Sequence, residues 1–127
     1  DGLALRLARE ITARRGGRDR GAQIDTWLQV HATTPVALAD CAEHLGLSLS
    51  RAGALVRRHC GEPFALALRR RRLARARLLL QTTNEPVAGI ARACGFSDAA
   101  WFSRAFASFH GCSPRAWRRR APAAAGG

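Results

Sequence analysis

Apolar positions recur along this chain every three or four residues, the spacing of one face of an α-helix, and the rhythm breaks at glycine, proline or small polar residues. Leu3, Leu7 and Ile11 set this period first, with Arg6, Arg9, Arg14 and Arg15 mostly on the other side, and predict a short amphipathic helix over residues 3–15. Gly16, Gly17 and Gly21, interleaved with Arg18, Asp19 and Arg20, are expected to break any helix and to act as a linker. Ile24, Trp27, Leu28 and His31 mark the next helix, from about Gln23 to His31. Thr34 can then cap a helix whose first position suits Pro35. Leu38, Ala39, Ala42 and Leu45 line that helix, and Gly46 stops it. Ser48 caps the following helix, which runs through Cys60 to a stop at Gly61.

The second half keeps the same grammar. Residues 63–82 predict one long helix with Phe64, Leu66, Leu73, Ala76, Leu79 and Leu80 as its buried stripe, the remainder carrying Arg69 to Arg72, Arg75 and Arg77. Asn84-Glu85-Pro86 opens a helix from Val87 to Cys94, Gly95 turns the chain, and Ser97 or Asp98 caps a helix to His110. Ser113-Pro114 starts a short closing helix that contains Trp117, and residues 121–127 are expected to be disordered. No strand pattern interrupts the series, so the fold class is all-α.

A helix, a turn opened by glycine, and a second helix form a helix-turn-helix unit, and the chain contains it twice. Ala42, Leu45, Gly46 and Leu47 recur 49 residues later as Ala91, Cys94, Gly95 and Phe96; Ala52, Val56 and Gly61 recur 50 residues later as Phe102, Phe106 and Gly111. The one-residue slip falls inside the turn, where insertion is cheapest. The expected architecture is two homeodomain-like helix-turn-helix subdomains, at 36–60 and 87–110, joined by the long helix 63–82. Residues 1–22 read as the tail of an upstream region with its linker, and 23–120 as the domain itself.

Charge narrows the class of partner. The 127 residues carry a net charge of +12, and every basic residue is arginine. Residues 1–62 hold nine Arg against seven acids, net +2, while residues 63–127 hold twelve Arg against two acids, net +10. Such an excess favours a polyanion, with the second half supplying most of the nonspecific attraction. Cys41, Cys60, Cys94 and Cys112 form no C-x-x-C pair, so they read as free thiols in a reducing compartment and no metal site is expected. The acids are scattered, and His31, His44, His59 and His110 lack a ligand pattern, so neither an enzyme nor a cofactor is expected. There is no run of eighteen apolar residues, which points away from a membrane and toward a cytoplasmic, nucleoid-associated protein. A chain that begins at Asp1 and contains no methionine reads as a fragment of something longer.

The run Gly95-Phe96-Ser97-Asp98-Ala99-Ala100-Trp101-Phe102-Ser103-Arg104-Ala105-Phe106, continuing through Gly111, Pro114 and Trp117, strongly resembles the signature of the AraC/XylS family of bacterial transcription regulators. Ile90 and Ala91 fit the same pattern, and Arg72-Leu73, Ala76-Arg77 and Leu79-Leu80 match its linker helix. The likeness covers about residues 23–120. It implies a seven-helix domain whose two recognition helices read successive major grooves of promoter DNA, with RNA polymerase as a further partner. It also implies an isolated domain that is mostly monomeric, effector binding and dimerisation lying in a separate domain before Asp1. The first unit departs from the pattern: Ala52 replaces a larger apolar residue, Ala54 stands where arginine is frequent, and Gly53 lowers helix stability by roughly 1 kcal/mol against alanine. The second unit is therefore expected to supply more of the specificity.

A recognition helix presents its N-terminal and solvent-facing side to base edges. Candidate base contacts are Ser50, Arg51, Ala54 and Arg57, with Leu49 beside them, and in the second unit Ala99, Ala100, Ser103 and Arg104, with Ala107. Arginine can pair with guanine O6 and N7, and alanine can touch a thymine methyl. Arg104 could instead clamp a phosphate or pair with Asp98. Candidate phosphate contacts are Ser48, Arg58 and Ser97, with Arg118 to Arg120 as a further nonspecific grip. Phe96, Phe102, Phe106, Phe109 and Trp117 read as core. A nonspecific architectural nucleic-acid binder and a protein-interaction module remain open alternatives.

Overall fold

The computed structural model describes residues 16–120. The expected helix over residues 3–15 and the tail at 121–127 lie outside them. The described residues form seven helices: α1 (Gly16–His31), α2 (Leu38–Leu45), α3 (Leu49–Cys60), α4 (Phe64–Thr82), α5 (Val87–Ala93), α6 (Ala99–His110) and α7 (Pro114–Arg120).

The helix boundaries follow local chemistry in most places. Ser48 Oγ accepts from the Arg51 amide at 3.2 Å, and Asp98 Oδ1 accepts from the amides of Ala100 at 2.8 Å and Trp101 at 3.3 Å. Each bond satisfies an amide that the first turn leaves without an intrahelical partner. Gly46, after α2, takes a left-handed φ of 69° and turns the chain toward α3.

Two expected boundaries are corrected. Gly16, Gly17 and Gly21 do not break the chain; all three lie inside α1, which begins at Gly16, seven residues ahead of the Gln23 start read from the pattern. Gly21 is explained by contact, since a Cβ there would lie 2.5 Å from the His59 ring, and glycine lets α1 lie directly on the end of α3. Nor do Thr34 and Pro35 begin α2. Thr34 Oγ1 donates to the His31 carbonyl at 2.8 Å, closing α1, and α2 starts at Leu38, where Asp40 Oδ2 accepts from the Ala37 amide at 2.8 Å.

Two hydrophobic cores result, and α4 belongs to both. Ile24, Trp27, Leu28, Cys41, Leu45 and Val56 meet Ala67 and Leu68 of α4 in the first. Ile90, Ala91, Cys94, Phe96, Phe102 and Phe106 meet Leu73, Ala76 and Leu80 of α4 in the second. The Phe96 and Phe102 rings pack edge-on at 5.1 Å, a favoured aromatic geometry. The stripe expected on α4 holds from Leu73 onward, but Leu66 is 43% exposed and Phe64 only half-buried; Ala67 and Leu68 take the inward positions instead. The end of α6 differs too. Phe109, expected in the core, is 40% exposed.

Arginines fasten the halves together. Arg72 on α4 donates from Nε to the Ala32 carbonyl at 2.6 Å and from Nη2 to the Thr34 carbonyl at 2.8 Å. Arg71 donates to Asp25 Oδ1 at 2.9 Å, and His59 Nε2 lies 3.0 Å from Asp25 Oδ2, so one carboxylate joins α1, α3 and α4. Arg118 donates to the carbonyls of Leu80 and Thr83. It holds α7 against the end of α4 and has these contacts in place of the free grip expected of it.

Candidate nucleic-acid interface

Each of α3 and α6 packs its apolar side on the helix before it and leaves the other side in water. On α3 the buried residues are Ala52 and Val56, while Ser50, Arg51, Ala54, Arg57 and Arg58 are all exposed. At about 100° per residue these five fall on one side of the helix. Leu49, also foreseen there, is 56% exposed at its start. On α6 the buried residues are Phe102, Ala105 and Phe106; Ala99, Ala100 and Arg104 are exposed, and Ser103 and Ala107 half-buried among them. The structure thus gathers the eight foreseen base-contact positions into two stripes of four, one per helix.

The foreseen phosphate contacts divide by position. Ser48 and Ser97 lie exposed just before α3 and α6, where the helix dipole favours an anion, though Asp98 already holds the Ala100 and Trp101 amides of α6. Arg58 is exposed one residue after Arg57. The Ser48 hydroxyl already serves as the cap of α3, so a phosphate there would share it with the Arg51 amide.

Arg104 does not pair with Asp98, whose carboxylate is engaged by the α6 amides. Its guanidinium instead lies 6.0 Å from the Trp101 ring centroid, and Arg69 covers the same indole at 5.0 Å. Trp101, 42% exposed in the first turn of α6, was not singled out from the sequence as a surface residue. A large aromatic at the third position of a capped helix, one place off the buried stripe, was the available signal.

The four-arginine run on α4 is mostly occupied within the protein. Arg70 holds Glu62 through two bonds of 2.7 and 2.9 Å, and this bidentate contact keeps the Glu62 carboxyl below its usual pKa. Arg71 and Arg72 are the tethers already described, and Arg69 lies over Trp101. Gly53 also has a structural reason: a Cβ there would lie 3.2 Å from Leu38 Cδ2, so the glycine leaves room for α2 against α3.

Among the described residues no group of three or more His, Cys, Asp or Glu side chains could hold a metal ion, and no helix is long and apolar enough to cross a membrane. Burial raises the thiol pKa of Cys41 and Cys60 and pushes that of Cys94 up to about 11, which makes these sulfurs poor nucleophiles.

Two capped helices with outward stripes of arginine, serine and alanine, each behind a glycine turn and sharing one long helix, define a double helix-turn-helix domain. Comparison with known proteins agrees. Residues 41–120 match the model of a helix-turn-helix domain family. The arabinose operon regulatory protein of Escherichia coli (strain K12) is 38% identical over 81 residues, covering 64% of this chain and 28% of that protein. The HTH-type transcriptional activator AarP of Providencia stuartii is 32% identical over 96 residues, covering 76% of this chain and 71% of AarP. A transcriptional regulator with an AraC-type DNA-binding domain from Chromobacterium violaceum superposes with a TM-score of 0.77 at 27% identity, over 83% of this chain and 94% of that one. The chain belongs to the AraC/XylS family of helix-turn-helix transcriptional regulators. Family and fold are those of non-enzymatic transcription factors.

Proposed function

We propose that the chain binds promoter DNA by laying α3 and α6 in successive major grooves, and that it regulates bacterial transcription in this way. The observation that carries the reading is the pair of stripes, Ser50-Arg51-Ala54-Arg57 and Ala99-Ala100-Ser103-Arg104, on the sides of α3 and α6 that packing leaves outward. Each offers arginine for guanine and alanine for a thymine methyl. Amides at the helix starts, with Ser48, Arg58 and Ser97, would hold phosphates and set the register. The matched relatives are named for operon regulation and transcriptional activation. The chain spans 28% of the arabinose regulator's length, and in this reading effector binding and dimerisation belong to a separate domain. Contact with RNA polymerase and a place on the cytoplasmic nucleoid belong to the same reading.

Selection from random duplexes, followed by titration of the enriched site over a range of salt, tests it. An asymmetric site with two blocks about one helical turn apart is expected. Steep salt dependence with no enrichment would assign the chain to nonspecific architectural binding.

A further inference from the structure

One groove adjoins the interface just described and shares only Arg104 with its stripe on α6. Trp101, Ala105 and Phe109, at i, i+4 and i+8 on α6, form one wall; Leu66, Arg69 and Arg70 on α4 form the other. Between them is a space of about 420 Å³, within the range of small-molecule sites. Phe109 lies in phase with the buried Phe102 and Phe106, and Leu66 faces the same space, yet these two and Trp101 remain 40–43% exposed. The apolar walls do not close on each other.

The rim is cationic. Arg69 and Arg104 flank the Trp101 ring, Arg70 lies 4.8 Å over Phe109, and the one acid, Glu62, is bound to Arg70. Among the described residues Arg69 and Arg104 have no carboxylate partner. An apolar slot of this size under two guanidiniums complements a compact apolar body ending in an anion. A duplex offers no apolar body to the slot.

We propose that the groove binds a small amphipathic carboxylate, an aromatic or branched alkyl acid. The apolar part lies between Leu66, Trp101 and Phe109, and the carboxylate meets Arg69 and Arg104. Occupation draws Arg104 away from DNA, so the ligand is an inhibitor of DNA binding. The inhibition rests on the function proposed above; the binding site does not.

The test uses the ¹⁵N-labelled chain with 3-phenylpropionate, its uncharged amide and acetate, the Trp101 indole resonance being assigned with Trp101→Phe. Saturable shifts confined to the Trp101 indole and to the amides around Ser108 and Phe109 are expected with the acid. The amide should bind about tenfold more weakly, the loss of one charge-assisted contact. Saturating acid should weaken binding to the selected duplex about threefold or more by competition. Leu66→Gln should keep wild-type DNA affinity while its affinity for the acid falls about fivefold, a lost apolar contact. Equal response to acetate, scattered shifts, or a response only to an acidic phenylalanine-bearing peptide would overturn the site. Local shifts with undiminished DNA binding would overturn the inhibition. A chain that binds the acid and no duplex would uphold the site and refute the function proposed above.

Discussion

Gly95 lies so close to Arg72 that a Cβ at position 95 would sit 2.9 Å from the guanidinium Nε and 3.3 Å from the Thr33 carbonyl. The turn of the second unit therefore rests on the tether that holds the first. Its φ of 93° is also one that side chains rarely adopt. Gly95→Ala should lower stability by more than the roughly 1–2 kcal/mol of a left-handed backbone alone. Gly111→Ala is the comparison, because Gly111 has φ 83° and nothing within 4 Å of the added carbon. Denaturation of the two variants checks this, and equal losses would mean that the Arg72 contact carries no weight.

Specificity should reside more in α6 than in α3. Arg104→Ala is expected to relax base preference at one block by about 1–3 kcal/mol, the size of a lost bidentate contact. Arg51→Ala and Arg57→Ala should change preference less. Repeating the duplex selection with each variant decides the order, and a larger change for Arg51 or Arg57 would reverse the assignment.

Asp98 bears on the stability of α6. Removing its carboxylate in Asp98→Ala leaves the Ala100 and Trp101 amides without their acceptor, at a cost of about 1 kcal/mol. Asp98→Asn keeps an acceptor and should recover most of the loss. Amide exchange at Ala100 and Trp101 should quicken in the alanine variant; unchanged protection would show that the cap is dispensable.

His110 makes stability depend on pH. Burial lowers its pKa from the usual 6.5, its ring sitting 4.4 Å from Phe106 with Nε2 at 3.2 Å from the Leu73 carbonyl. The unfolded chain then takes up a proton at higher pH than the folded one. Above the unfolded pKa this group contributes nothing to the slope; as pH falls through about 6.5 stability declines, levelling once the folded ring is protonated. Urea midpoints at about pH 8 and about pH 5.5 should differ more in the wild type than in His110→Gln, which lacks the titrating ring.

What could be read from the sequence was governed by near neighbours. Ser48, Gly46, Asp98 and Gly111 act through amides within a few residues, and the spacing of Phe102 and Phe106 fixes which side of α6 is buried. Contacts formed only in the folded chain were hidden. Gly21 reads as a helix breaker until His59, 38 positions away, is found against it. Arg69 to Arg72 read as a charge run until their partners in α1, in the loop after it, and on α6 are known. Phe109 has the period of a core residue, but its neighbour across the helix pair is the guanidinium of Arg70. The stripes on α3 and α6 were legible because the candidate positions sit on the face that packing leaves over.

The two cores each enclose one sulfur, Cys41 with the first unit and Cys94 with the second, and both are fully covered. A thiol reagent reaches either only when the surrounding helices part, so its rate of reaction measures how often that half opens. With Cys60 and Cys112 replaced, the folded chain carries two chemical clocks, one for each helix-turn-helix unit, and α4 decides whether they run together.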